Sequence, residues 1–525
     1  MGYWATWTSS RNAACVGVRI EFGAALWGVL CLVAPLAAQG PPPLPPPPVP
    51  PQNPITEPKR VLGKILFWDE QLSSDNTVAC GTCHQVARAS SDPRPAVHPG
   101  FDANAGTIDD VFGSFGVERR DSAGVPVSDA LFGLDRQVTR RSAQTVFGAL
   151  WSPQTFWDGR AGPAFVDPQT GATVIPGGGA LEAQAIVPIL SDSEMAREGR
   201  TWADVASKLQ AATPLGLATY LPADVDAAIT ANPTYPALFT AAYGNGAITA
   251  QRIAFAIATY ERTLVANQTP FDLGTLTPQQ QQGFTVFQNP ASACAACHTP
   301  PIFTNNTFRN IGLRPLIEDT GRQEVTGNPG DAGRFKVPSL RNVGIKPTFM
   351  HNGRRATLEG VVDFYTGITG QIQFPANQDP LIPPITIPPG ARLDLIEFLR
   401  NGLTDPRVVA ESPPFDRPIL LSELGDGDRD GDVDESDRVS FEGCFTGSGG
   451  GPVTSSCFRM DMDGDTDVGC DDWVSFQNAW TSPTPPTDLA ACLGVAPIPT
   501  VSEWGLLIMA LAMLAGGTIM LRTRM

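Results

Sequence analysis

Two short motifs carry the strongest chemistry in this sequence. Cys80-Gly81-Thr82-Cys83-His84 and Cys294-Ala295-Ala296-Cys297-His298 each set two thiols one backbone turn apart and follow them at once with an imidazole. That spacing suits covalent attachment of a c-type haem, in which the thiols become thioethers on the two vinyl groups and the histidine is presented to the iron. Zinc or disulfide chemistry uses the same residue types, but two copies of the full pattern in a chain with only four histidines point to two haems. His84 and His298 are then the proximal iron ligands, which leaves His98 and His351 for gating or bridging. Taken alone, His98 reads equally well as a loop histidine.

A second chemistry lies near the C-terminus. Asp426, Asp428, Asp430, Asp432, Asp434 and Asp437 fall on alternate positions, and then on the last position, of an EF-hand-like loop, with Gly431 at the sharp turn. Asp461, Asp463, Asp465, Asp467 and Asp472 repeat the pattern, although Thr466 replaces the turn glycine and Gly469 offers no side-chain ligand. Val-Ser-Phe follows each loop, at Val439 to Phe441 and at Val474 to Phe476. A paired calcium module resembling dockerin-type repeats is therefore expected, with an acidic solvated linker as the alternative. Cys444, Cys457, Cys470 and Cys492 are spaced through this region and are candidates for two disulfides in an oxidising compartment.

Other segments must carry and deliver these groups. Arg11 and Arg19, an apolar run over residues 22–34 and the Leu36-Ala37-Ala38 sequence predict a secretory signal over residues 1–38, with a retained N-terminal anchor as the alternative. Residues 41–54 are mostly proline and read as a stiff spacer. Residues 504–521 are apolar and are followed by Arg522 and Arg524, which predicts a transmembrane segment with a basic cytoplasmic end. The preceding Ile-Pro-Thr-Val-Ser-Glu-Trp-Gly makes this tail resemble the IPTL/PEP-CTERM sorting tails; a plain tail anchor is the alternative. The net charge is −17, and the acidity is concentrated between residues 412 and 489, which argues against nucleic-acid binding by the nearly balanced haem-bearing region.

Strand signals are sparse, and the clear periodicities are helical. Ile253, Ile257, Tyr260 and Leu264 form one apolar face, and Leu358, Val361, Val362 and Tyr365 form another. Thr277-Pro278 predicts a helix start, and residues 393–399 a last helix after a proline-rich loop. Gly63 to Phe67 (GKILF) precedes the first haem motif as Gly283 to Phe287 (GFTVF) precedes the second, an echo that predicts two small tandem domains.

The blocks LGKILFWDEQLSSDNTVACGTCH, FWDGRA, LEAQAIVPILSDSEMA, IATYERTLVANQTPFD, VPSLRNVG and FMHNGRRATLEGVVDFY resemble, in order, those of the di-haem cytochrome c peroxidase and MauG family. The resemblance covers residues 58–405. It implies a mainly α fold of two tandem cytochrome c domains, in which the first haem binds peroxide and the second receives electrons. By the same resemblance Glu194 is the distal acid and Gln184 the amide beside it, while Trp157 lies between the haems and His351 near the propionates. Tyr365 falls where peroxidases often carry a methionine ligand and MauG-like members a tyrosine. A phenolate there disfavours the reduced iron relative to a thioether. Met350 is the rival ligand, and a packed core tyrosine is the plain alternative.

The departures matter as well. His98 stands closer to His84 than the gating histidine of reductively activated members does. Ser142 occupies the place of a calcium-binding asparagine and Lys346 adds a positive charge nearby, which argues against an interhaem calcium. The expected organisation is a signal (1–38), proline-rich linker (39–55), peroxidatic domain (56–246), electron-entry domain (247–411), calcium module (412–482), linker (483–497) and sorting tail with a transmembrane helix (498–525). The expected activity is reduction of hydrogen peroxide with electrons from a small cytochrome c or a cupredoxin. The alternatives are MauG-like oxidation of a protein or small molecule through a high-valent iron state, and anchored electron transfer without catalysis. The expected cofactors are two c-type haems and calcium in the C-terminal module. The expected location is the periplasm or cell surface, and the reading admits a homodimer.

Overall fold

The computed structural model describes residues 42–481, apart from 95, 105, 106, 108, 368–373, 375, 377, 381, 383, 384, 429–431, 451, 452, 454–456 and 464, together with residues 16, 17, 29, 30, 489 and 492. The chain divides into two units, Met1–Pro42 and Pro43–Met525. In the first, the described positions form one two-residue antiparallel pair, Val16–Gly17 with Val29–Leu30, and the rest of the expected signal lies outside the described residues. The second unit holds both haem motifs and the acidic repeats.

The first core forms around two helices that cross at a glycine. Helix α1 (Glu57–Trp68) starts after Thr56, with Pro58 in its first turn, where the proline's missing N–H costs nothing. A Cβ on Gly63 would lie 1.9 Å from the carbonyl oxygen of Ala256, so only glycine lets α1 approach this closely. Short helix α2 (Cys80–Cys83) carries the first motif. Helices α3 (Ala180–Ala185), α4 (Trp202–Ala211), α5 (Ala223–Ala231) and α6 (Tyr235–Tyr243) lead to α7 (Ala250–Glu261), which contains Ala256 and is capped by the Thr249 hydroxyl. Leu62, Ile65, Leu66 and Trp68 of α1 meet Tyr235 and Phe239 of α6 and Ile253, Ile257 and Tyr260 of α7 in one core.

The second core repeats this construction. Helix α8 (Pro270–Leu273) precedes α9 (Pro278–Gln288), whose Thr277 cap and Pro278 start match the expectation, and α10 (Cys294–Cys297) carries the second motif. After α11 (Gln323–Thr326) and α12 (Leu358–Thr366), α13 (Pro389–Glu397) runs into a single π-helical turn, Phe398–Gly402. Here α9 crosses α13 at Gly283, where a Cβ would lie 2.0 Å from the carbonyl oxygen of Asp394. The GKILF and GFTVF echo thus records one packing rule used twice: a glycine lets the helix before each haem motif press against the last helix of its domain. Phe271, Phe287, Phe303 and Phe398 fill this second core.

Three expectations about organisation change. Helix α7 packs on α1, so the first domain runs past the expected boundary at residue 246 and takes the whole helix with it. The proline-rich stretch does not stand free: Trp151 Nε1 donates to Pro45 O at 2.9 Å, Arg262 Nε to Pro48 O at 3.1 Å, and buried Asn53 donates to Glu182 at 2.8 Å. The segment from residue 412, expected to open the calcium module, starts instead in the first core, where Phe415 and Leu420 join Val408 of α14 (Pro406–Val409) and Asp416 pairs with buried Lys64 at 2.9 Å. Among the described residues, strands occur only in short antiparallel pairs. Residues 164–179 form one of them, Phe165–Val166 with Thr173–Ile175, which covers Ala254 and Phe255 of α7.

The acidic repeats fold as a small third core. Helices α15 (Glu435–Cys444) and α16 (Cys470–Ala479) each follow one acidic loop, and Phe441 and Phe476, the phenylalanines of the repeated Val-Ser-Phe, are fully buried against Trp473. Disulfides Cys444–Cys457 and Cys470–Cys492 staple it, as the cysteine spacing led us to expect. Among the described residues no helix is long and apolar enough to cross a membrane, and the expected transmembrane segment at residues 504–521 lies outside them.

Candidate functional site

His84 ends the first motif with its ring held from behind. Its Nδ1 lies 3.1 Å from Ser90 O, so Nδ1 carries the proton and Nε2 is left with its lone pair. His298 repeats the arrangement, with Nδ1 3.2 Å from Phe303 O and 3.0 Å from Pro338 O. Burial lowers the pKa of both imidazoles below the ordinary histidine value, which favours the neutral, metal-binding form. Gly81 is required here because a Cβ would lie 2.1 Å from the Trp68 ring.

Each histidine faces its own cavity. The first cavity, about 480 Å³, is lined by Cys80, Cys83 and His84 and also by Gln184, Glu194 and Trp157. The second, about 210 Å³, is lined by Cys294, Cys297 and His298 and also by Met350, His351 and Tyr365. Trp157 borders both. The structure therefore gathers nearly every sequence-predicted haem residue into one of two neighbouring chambers. His98 is the exception: it sits in the short strand Ala96–His98, accepts from Gly100 N at 3.2 Å, packs edge-on against Phe132 and lines neither cavity.

Glu194 follows the single 3-10 turn Pro188–Leu190, in a loop where the amides of Glu194 and Met195 both donate to Ser191 O. Burial raises its pKa above the ordinary carboxylate value, against smaller opposing effects of the Ser191 hydroxyl and the Arg160 charge. Trp157 is fixed by its indole, which donates to Ser142 O at 2.8 Å; Ser142 N in turn donates to His351 O at 2.9 Å and Ser142 Oγ to Met350 O at 3.0 Å. Ser142 thus ties the tryptophan to the Met350-His351 segment. His351 stacks on Phe335 with ring centroids 3.6 Å apart and meets Trp157 edge-on at 6.4 Å. Tyr365 shares the wall of the second cavity with Leu358, Val361 and Val362, as the helical face predicted, and burial raises its pKa well above the ordinary phenol value.

Three charged residues with no haem role expected from the sequence belong to these walls; of them only Lys346 stands out there, as a charge set against an interhaem calcium. Glu261 closes α7 at the first cavity, is 3% exposed, leaves Oε2 without a hydrogen-bond partner, and is pushed up to about 8 by burial. Lys336 and Lys346 line the second cavity, where burial pushes their pKa values down to about 7 and about 8. Lys346 donates to Ser91 Oγ at 2.9 Å and Lys336 to the Ser152 hydroxyl. The block IATYER contains Glu261 and the segment KPTFMH contains Lys346, but nothing in their spacing says that they are buried.

These features fit two covalent haems. Among the described residues the four free cysteines are those of the two motifs, while the other four are oxidised to disulfides. The thiols, an imidazole with Nε2 available and a cavity meet at each motif, and the buried ammonium groups of Lys336 and Lys346 suit the anionic propionates of a haem.

A helical chain with two such chambers is a di-haem cytochrome. The di-haem cytochrome c peroxidase family model, CCP_MauG, matches residues 57–277, and the IPTL-CTERM motif matches residues 496–524. The methylamine utilization protein MauG of Methylophilus methylotrophus is 30% identical over 320 residues, spanning 60% of this chain and 73% of the relative. MauG of Methylorubrum extorquens is 29% identical, with 68% and 81% covered, and the cytochrome c551 peroxidase of Nitrosomonas europaea is 26% identical, with 68% and 82% covered. The chain belongs to the di-haem cytochrome c peroxidase and MauG family.

Proposed function

We propose that the chain reduces hydrogen peroxide to water at the His84 site with electrons that enter at the His298 site. The observation that carries this reading is the placement of Glu194 and Gln184 in the cavity that His84 faces, with Trp157 as a wall shared with the His298 cavity. Cys80, Cys83 and His84 would hold a haem, which would supply the redox-active iron for peroxide reduction. The Glu194 carboxylate accepts a proton from the near oxygen and returns it to the leaving one, and the Gln184 amide holds the peroxide beside it. One peroxide, two electrons and two protons give two waters. The electrons come from a small cytochrome c or a cupredoxin, and Trp157, clamped by Ser142, shortens their path between chambers.

Tyr365 favours a second reading. A phenolate on the His298 iron suits MauG-like oxidation of a protein or small molecule, whereas the Met350 thioether in the same wall suits peroxide turnover with an external donor. Stopped-flow mixing of peroxide with the di-haem protein and a reduced cytochrome separates the two. Rapid donor oxidation that falls about 10²- to 10⁴-fold in Glu194→Gln supports the peroxidase. A peroxide-dependent spectral change without donor turnover supports the MauG-like reading, and no spectral reaction at all leaves electron transfer alone.

The same proposal gives the acidic module to calcium. Carboxylate oxygens of Asp426, Asp428 and Asp437, of Asp432, Asp434 and Asp437, of Asp461, Asp463 and Asp472, and of Asp465, Asp467 and Asp472 lie within 4.8 Å of one another in each set. Asp430 lies outside the described residues. Asp437 and Asp472 accept backbone amides in matching ways, from Gly427 and Asp428 in one loop and from Met462 and Asp463 in the other. The disulfides and the IPTL-CTERM tail support an exported protein held at least transiently at the cell envelope.

A further inference from the structure

The loop behind the first haem motif is held by a part of the chain that lies beyond the family match. Gln85, the residue after His84, is buried, and its side-chain amide donates to Glu423 Oε1 at 2.7 Å. Glu423 is 3% exposed. Its Oε2 accepts from Arg417 at 2.6 Å and from Leu420 N at 3.2 Å, and the Arg459 guanidinium lies 3.6 Å away. Arg417 lies over the Trp68 ring at 4.7 Å, the ring against which Gly81 packs. One buried carboxylate therefore joins the haem-attachment segment to the chain that leads into both acidic loops.

Gln85 also anchors the loop that orients the proximal imidazole. Ser90 N donates to Gln85 O at 2.8 Å, Gln85 and Ser91 form an antiparallel bridge, and Ser90 O faces His84 Nδ1. A hydrogen bond at Nδ1 fixes the ring and makes Nε2 a stronger donor to a metal, which favours the oxidised iron. We propose that Glu423 is a positioning residue for His84, acting through Gln85 and the loop to Ser91. The inference rests on His84 being the proximal haem ligand, and it makes the C-terminal module a working part of the first haem site. Removing Glu423 leaves the Gln85 amide buried without its acceptor and takes from Arg417 one of two carboxylate partners, Glu411 being the other, so the loop reorganises and the Nδ1 hydrogen bond weakens.

The test is spectroelectrochemical titration of both haems in the intact protein, after mass spectrometry has counted them. In Gln85→Leu and Glu423→Leu the midpoint of the His84 haem rises by the equivalent of roughly a tenfold change in its one-electron equilibrium, about 59 mV, while the His298 haem stays put. Glu423→Gln keeps an oxygen for the Gln85 amide and holds the wild-type midpoint, although its thermal stability falls with the loss of the Arg417 ion pair. If Glu423→Leu does not fold, Gln85→Leu, which leaves the Glu423–Arg417 pair in place, decides the matter. An unchanged midpoint in Gln85→Leu, or an equal shift of both haems, overturns the positioning role alone. A wild-type chain without two attached haems overturns the haem reading and the positioning role together.

Discussion

Glu194 and Glu261 are two carboxyl groups on one cavity with different parts to play. As the proposed base Glu194 must be ionised, and burial raises its pKa above the ordinary 4.5. The rate of peroxide reaction should therefore fall as pH drops through that raised value. Glu194→Gln should abolish this acid limb of the profile, which stopped-flow measurement across pH will show. Glu261 is held protonated by its surroundings, with a value of about 8 against 4.5 for a free side chain. Because the folded chain keeps this proton where the unfolded chain releases it, the associated stability is intact below pH 4.5 and drains away as pH rises toward 8. Glu261→Gln should flatten that decline, so thermal melts at pH 5 and pH 8.5 should differ less than in the wild type, by roughly 1 kcal/mol or more. Motif spacing made the thiols, His84 and His298 legible in the sequence, because haem attachment is a local constraint. Glu261 was hidden because its proton depends on what surrounds it in space.

At the scale of helices, the two domains depend on close crossings that a single methyl group would spoil. Gly63→Ala places a Cβ 1.9 Å from Ala256 O, where backbone rather than a flexible side chain must give way. The expected cost is about 1–3 kcal/mol, measured by chemical denaturation, together with a displaced α1 that carries Trp68 away from Gly81 and the haem motif. Gly124→Ala, whose Cβ would meet nothing within 4 Å, is a useful contrast, since its cost comes from backbone conformation alone. Sequence periodicity found α7 and α12 because their apolar faces repeat every turn, and the Thr277-Pro278 start found α9. It assigned α7 to the wrong domain because an apolar face says that a helix is buried and says nothing about which partner buries it. The proline-rich stretch misled for a related reason: a segment too poor in apolar periodicity to form a core of its own can still lie along another and lend it carbonyl acceptors, as Pro45 and Pro48 do.

Across the whole molecule, the partners that matter most are far apart in the chain. Gln85 and Glu423 are separated by 338 residues and Arg88 and Asp428 by 340, distances over which no sequence pattern forecasts a contact. The acidic repeats announced their own fold but gave no sign of where they would dock. Arg88 donates to Asp428 O at 2.7 Å, and Asp428 belongs to the first acidic loop. A cation that binds this loop stabilises the folded module by mass action, about 2.7 kcal/mol at a hundredfold excess over its Kd. Since the loop also holds Arg88, part of that stabilisation must pass to the segment behind the first haem motif. Hydrogen exchange with and without calcium measures this directly. Calcium should slow exchange in the acidic loops and, with them, at Val86 to Ser91, and Asp437→Ala should remove both effects. Protection confined to residues 425–480 would instead show that the module binds its ions without reporting them to the haem domain.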